Sequence, residues 1–162
     1  MFKKILVAID EGEPAACAMK KAVDLAVQLK ARVVVLHVVD TAAALVPALG
    51  AIDDGELTRL RSVGKTLLDH ALTAAEISTE TRLIEGEPAD TILAAARECE
   101  ADLIVLGSDS RGRLSHFLLG STADSVIRRA SCPVVTVRAV RDQSAIPSRA
   151  AAIVSQVQGT YR

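Results

Sequence analysis

The sequence predicts a doubly wound α/β fold: a five-stranded parallel sheet with helices on both of its faces. Two observations carry that prediction. Apolar runs rich in β-branched residues recur along the chain, and they are nearly continuous rather than alternating, as in strands covered on both sides. Segments with apolar residues at helical spacing separate them, which gives the order β-α-β-α-β-α-β-α-β.

The first strand is "ILVAI" (5–9). Pro14 to Lys30 follows as a helix, with Ala18, Ala22, Leu25, Ala26 and Leu29 on one face. The second strand is "RVVVLHVV" (32–39). Residues 41–55, "TAAALVPALGAIDDG", read as an irregular apolar connection, either a flap over a site or a loose link. Asp54 to Ile77 is helical, with Leu57, Leu60, Val63, Leu67, Leu68, Ala71 and Leu72 inward. "TETRLIEG" (79–86) is more polar and fits an edge strand. Pro88 to Glu100 is a short helix with Pro88 in its first turn. The last strands are "DLIVLG" (102–107) and "PVVTVR" (133–138). Between them a helix over 121–130 turns Val126 and Ile127 inward, and Pro133 follows its end. These elements make one domain over residues 1–140. Residues 141–162 form a C-terminal tail, read as a short helix or a disordered segment.

Composition excludes several function classes. The chain has 162 residues, half of them apolar, and a formal net charge of -1. That balance gives no basic face for nucleic acid or an anionic membrane. Aromatic residues make up 2%, with no Trp, which leaves no stacking platform for single strands. Cys17, Cys99 and Cys132 are far apart and form no CxxC pair, so they read as buried thiols in a reducing compartment. The apolar part of "MFKKILVAID" is too short for a signal segment, and no run reaches the length of a membrane span. A soluble cytoplasmic protein is expected.

Ligands of such sheets bind beyond the carboxyl ends of the strands. Here those ends are Asp10, Val38 to Asp40 and the loop after Gly107. Gly107 is expected to end a buried strand and let the backbone turn close to a ligand. Gly120 and Ser121 open a helix whose first N–H groups have no internal acceptor, and whose dipole favours an anion. The hydroxyls of Ser121 and Thr122 can add hydrogen bonds, and Arg111 and Arg113 can neutralise a polyphosphate. Opposite them, the Asp10 carboxylate can accept from a ribose or an adenine edge, and the Val38 backbone can read an adenine as a strand edge would. The sequence has neither the lysine of a Walker loop nor a GxGxxG after the first strand. His37, among Val residues, reads as a core histidine. No HxH, HExxH or Cys/His cluster suggests a metal, and no nucleophile–base pair suggests a fast enzyme.

Four blocks in order, "KKILVAID", "LHVVD", "GEPADTILAAA" and "ADLIVLGSDSRGRLSHFLLGSTADSVIRRASCPVVTV", resemble the universal stress protein family over residues 3–138. The resemblance implies a five-stranded fold of the adenine-nucleotide α-hydrolase-like kind, a homodimer paired through its final strand, and in many members ATP binding. The family pattern runs Gly, two residues, Gly, nine residues, then Gly and Ser or Thr. Here the first glycine is Gly107, the last is Gly120 and the hydroxyl is Ser121. The second glycine is replaced by Ser110, the usual histidine by Asp109 and a further glycine by Arg113. A serine held at positive φ costs about 1 kcal/mol, which a cradle tolerates. The expected ligand is therefore ATP or a related adenine nucleotide, with or without Mg²⁺. The expected role is a regulatory stress-response homodimer with an as yet unnamed protein partner. A nucleotide-free interaction module and a slow nucleotide hydrolase on the same fold are the alternatives.

Overall fold

The structure, a computed structural model, describes residues 1–46, 51–75, 77–108 and 121–139. Its strands are β1 (Lys4–Ala8), β2 (Arg32–Asp40), β3 (Leu45–Val46), β4 (Ala51–Ile52), β5 (Thr79–Gly86), β6 (Leu103–Ser108) and β7 (Val134–Arg138). Its helices are α1 (Glu13–Leu29), α2 (Asp54–Ala74), α3 (Pro88–Glu98) and α4 (Ser121–Arg129), with a 3₁₀ turn at Thr41–Ala44. The main sheet has the order β5-β2-β1-β6-β7, and every pairing in it is parallel. The expected doubly wound sheet is thus present, with the polar strand 79–86 at one edge and the last strand at the other.

Period-two alternation sorts the strand residues between two cores. Ile5, Val7, Val33, Val35, Leu103 and Val105 pack with Ala18, Ala22 and Ala26 of α1 and Leu68 and Ala71 of α2. Leu6, Val34, Leu36, Ile104 and Leu106 pack with Ile92 and Leu93 of α3 and Val126 of α4. Small alanines on α1 and α3 let those helices lie close to the sheet. The helix starts are locally determined. Asp53 accepts from the Glu56 N–H at 2.8 Å and Glu87 from the Asp90 N–H at 2.7 Å, and Pro88 opens α3 as expected.

Three expectations need correction. The strand expected to end at Gly107 continues through Ser108, which pairs with Arg138. Residues 41–55 are not irregular throughout: a 3₁₀ turn leads into β3, which pairs antiparallel with β4. Finally, Leu72 and Ile127 are 39% and 40% exposed. In the short α4 the inward stripe is Ala123 and Val126, so Ile127 falls on the outer side. Residues 140–162, including the tail, lie outside the described residues.

The opposite edge of the sheet is tied by one carboxylate. Asp102 accepts from the Lys3 N–H at 2.7 Å and the Lys4 N–H at 3.0 Å, joining the starts of β1 and β6. Burial works to raise its carboxyl, but the backbone donors Lys3, Lys4 and its own N–H outweigh that and hold it below the usual range. A depressed carboxyl adds stability above its unfolded pKa and loses that contribution as pH falls through the folded value. Asp102→Asn is therefore expected to cost about 1 kcal/mol at pH 7. The cost should shrink as pH falls below the usual carboxylate range. Urea midpoints of both proteins over a series of pH values check this.

Candidate functional site

The strand registers bring the carboxyl edge into one row. Ala8 lies beside Leu36 on β2 and beside Leu106 on β6. Two residues further on, these three chains reach Val38, Asp10 and Ser108. The row continues outward to Ile84 on one side and Arg138 on the other. It sits where the chain order reverses, between β1 and β6, as the fold class requires of a ligand site.

Asp10 and Val38 lie at the carboxyl ends of β1 and β2. The Asp10 Oδ1 accepts from the Gly12 N–H at 2.7 Å, an Asx turn that leads into α1. The carboxylate itself is exposed, and Oδ2 has no hydrogen-bond partner among the described residues. The β1–β2 ladder ends where the Ile9 N–H donates to the Leu36 carbonyl at 2.9 Å, whereas β2 and β5 stay paired out to Asp40 and Gly86. Bonding residues on a parallel strand alternate, so the Val38 N–H and C=O face the β1 side, as those of Leu36 do. Neither has a backbone partner among the described residues. The result is one donor and one acceptor side by side beyond Asp10.

Gly107 lies against the start of α1. It lies within β6 and its φ is not positive. A Cβ there would come within 2.6 Å of the Ala15 nitrogen and the Pro14 carbonyl carbon. Its missing side chain lets the first turn of α1 lie against β6. Ser108 was missed by sequence reasoning. It is 2% exposed, and its hydroxyl has no partner among the described residues. A buried unsatisfied hydroxyl at a strand end is a signal only burial reveals.

Ser121 is the first residue of α4 and is exposed; Thr122 is half-buried. A helix joining parallel β6 and β7 begins at the carboxyl edge, so its first N–H groups belong to the same end of the sheet as the row. Asp124 in that first turn is engaged by Arg128 at 2.9 Å, which lessens its repulsion of an anion. Ser110, Arg111, Arg113 and Gly120, with Asp109, lie outside the described residues. Among the described residues no group of three or more His, Cys, Asp or Glu could hold a metal ion. A cavity of about 770 Å³ opens between α1 and α2, lined by Met19, Val23, Leu67 and Ala71. Of the expected site residues it reaches only Asp10, so it is a neighbour of the row and not the row itself.

The sequence matches the universal stress protein family over residues 1–138. The chain belongs to that family. A universal stress protein of Methanocaldococcus jannaschii, MJ0531, is 34% identical over 145 residues, covering 85% of this chain and 83% of the relative. The universal stress protein YxiE of Bacillus subtilis is 36% identical over 148 residues, covering 85% of this chain and all of the relative. Among solved structures, universal stress protein UspA from Lactobacillus plantarum superposes with a TM-score of 0.67 at 31% identity, over 85% of this chain and 98% of the other. A family member from Burkholderia pseudomallei gives 0.69 at 31%, over 85% and 97%. Family membership accounts for the sheet order. No helix among the described residues is long and apolar enough to cross a membrane.

Proposed function

We propose that this universal stress protein binds an adenine nucleotide, ATP foremost, across the row formed by Val38, Asp10 and the start of α4. It acts as a ligand-responsive cytoplasmic homodimer rather than as a turnover enzyme. The observation that carries the reading is the open Val38 edge. An adenine presents an acceptor nitrogen beside an amino donor, and the Val38 N–H and C=O complement that pair. The Asp10 carboxylate, exposed alongside, suits a ribose hydroxyl. The first turn of α4 suits the phosphates, and the buried Ser108 hydroxyl is a polar group still in want of a partner. Two solved structures of the same fold, 21% and 23% identical to this chain, hold cAMP and dAMP. At that identity they speak for the fold, which admits an adenine nucleotide. Bound Mg²⁺ would screen phosphate charge; its ligands would come from the nucleotide and from water.

In this reading the binding energy serves conformation and assembly. The edge of β7 supports assembly: it offers a strand whose outward backbone groups another copy can pair. Titration calorimetry tests the nucleotide reading. The wild type is expected to bind ATP. Gly120→Val should weaken it by about 100-fold, because a branched side chain keeps the phosphates from the helix start. Ser110→Ala should change affinity by no more than about three-fold. Equal losses in the two variants would remove the phosphate cradle from this reading.

A further inference from the structure

The β1–β2 ladder stops one bond early, and a side chain takes the place of that bond. After Leu36, the next residue of β2 facing β1 is Val38, whose N–H would donate to the Ile9 carbonyl. The Ile9 carbonyl instead lies 2.9 Å from His37 Nδ1. A carbonyl oxygen only accepts, so Nδ1 carries the proton. The imidazole lies between the sheet and α2, directly under Gly64. A Cβ on Gly64 would overlap its Cδ2 and would come within 2.7 Å of Leu83 Cδ1. Glycine is a poor residue for the middle of a helix, and the space needed by this ring is what it supplies.

We propose that His37 is a positioning residue. By occupying the Ile9 carbonyl it keeps the Val38 N–H unpaired, and so available, beside the Val38 C=O, to the edge of a planar base. The ligand in this statement rests on the nucleotide reading above; the effect on the backbone does not. Without the ring donor, the Ile9 carbonyl is left to the N–H that a continued parallel ladder brings to it, that of Val38. The ladder then closes over the place where the base would lie.

Amide hydrogen exchange on the ligand-free protein, followed by NMR, tests this directly. In the wild type the Val38 amide should exchange about 100-fold faster than that of Val34, which lies inside the ladder. In His37→Leu it should slow by about 10-fold or more as it gains the Ile9 acceptor. His37→Asn, whose Nδ2 stands where Nδ1 does, should restore the wild-type rate. General loosening of the strand would speed exchange at Val34 and Val38 together, which is the opposite sign. Calorimetry supplies the second readout: His37→Leu should weaken ATP by about 10-fold while inorganic triphosphate stays within about two-fold. If the leucine variant does not fold, Gly64→Ala, which displaces the ring without removing it, should slow Val38 exchange in the same way. A Val38 amide already protected in the wild type, or still unprotected once the ring is removed or displaced, overturns the proposal. A wild type that binds no ATP would sink the nucleotide reading, and the exchange rates would still decide the role of His37.

Discussion

Gly107→Ala is expected to destabilise the protein by about 3 kcal/mol, near the top of what one added methyl group costs in a packed interior. The new Cβ would sit 2.6 Å from the Ala15 nitrogen and 2.8 Å from the Pro14 carbonyl oxygen. Both contacts are with backbone, and no rotamer change relieves them. Relief requires the whole first turn of α1 to lift off β6. That turn carries Ala15, which is buried, and follows the Asx turn made by Asp10. The loss should therefore weaken the Val38–Asp10–Ser108 row as well as the core. Gly55→Ala is the control. Gly55 lies exposed in the first turn of α2, and its Cβ would meet only Asp53 Oδ1, at 3.1 Å. Its effect should stay within about 1 kcal/mol. With no Trp in the chain, urea unfolding is best followed by far-ultraviolet circular dichroism. A Gly107→Ala loss below about 1 kcal/mol would show that α1 does not press on β6 there.

Thr136→Pro is expected to turn a homodimer into a folded monomer. The Ile104 N–H donates to the Pro133 carbonyl at 3.0 Å, which sets the phase of the β6–β7 ladder. By alternation, Val135 and Val137 bond β6, while Val134, Thr136 and Arg138 direct their backbone groups outward. Proline at 136 thus removes a donor from the outer edge alone and leaves the inner ladder intact. Val135→Pro should instead break that ladder and cost the fold about 3 kcal/mol or more. Light scattering at micromolar concentration, paired with circular dichroism, separates the two. A wild type that is already a monomer would count against pairing through β7. A Thr136→Pro variant that stays dimeric would place the interface elsewhere.

The sequence by itself determined the elements and their order. Runs such as "RVVVLHVV" can only be buried on both faces, because every residue along them is apolar apart from Arg32 and His37. Asp53 and Pro88 mark helix starts through bonds within three residues or a fixed φ, so they too are local facts. The four ordered blocks likewise carried the family. Asp10 and Val38 were legible as residues at the carboxyl edge because that edge follows from strand direction alone.

What only the tertiary structure decided depends on contacts between residues far apart in the chain. Gly107 and Pro14 are 93 positions apart, by the difference of their numbers, and nothing near "VLGSDS" announces that α1 presses on that glycine. His37 looked like a filler of the core because its bond is to Ile9, on another strand. The ring that Gly64 accommodates comes from β2, and nothing in the helix's own sequence announces it. Ser108 became visible once its hydroxyl was buried without a partner. Periodicity reports which face a residue takes. Register and close approach report what it meets there, and they arise only when the strands are laid side by side.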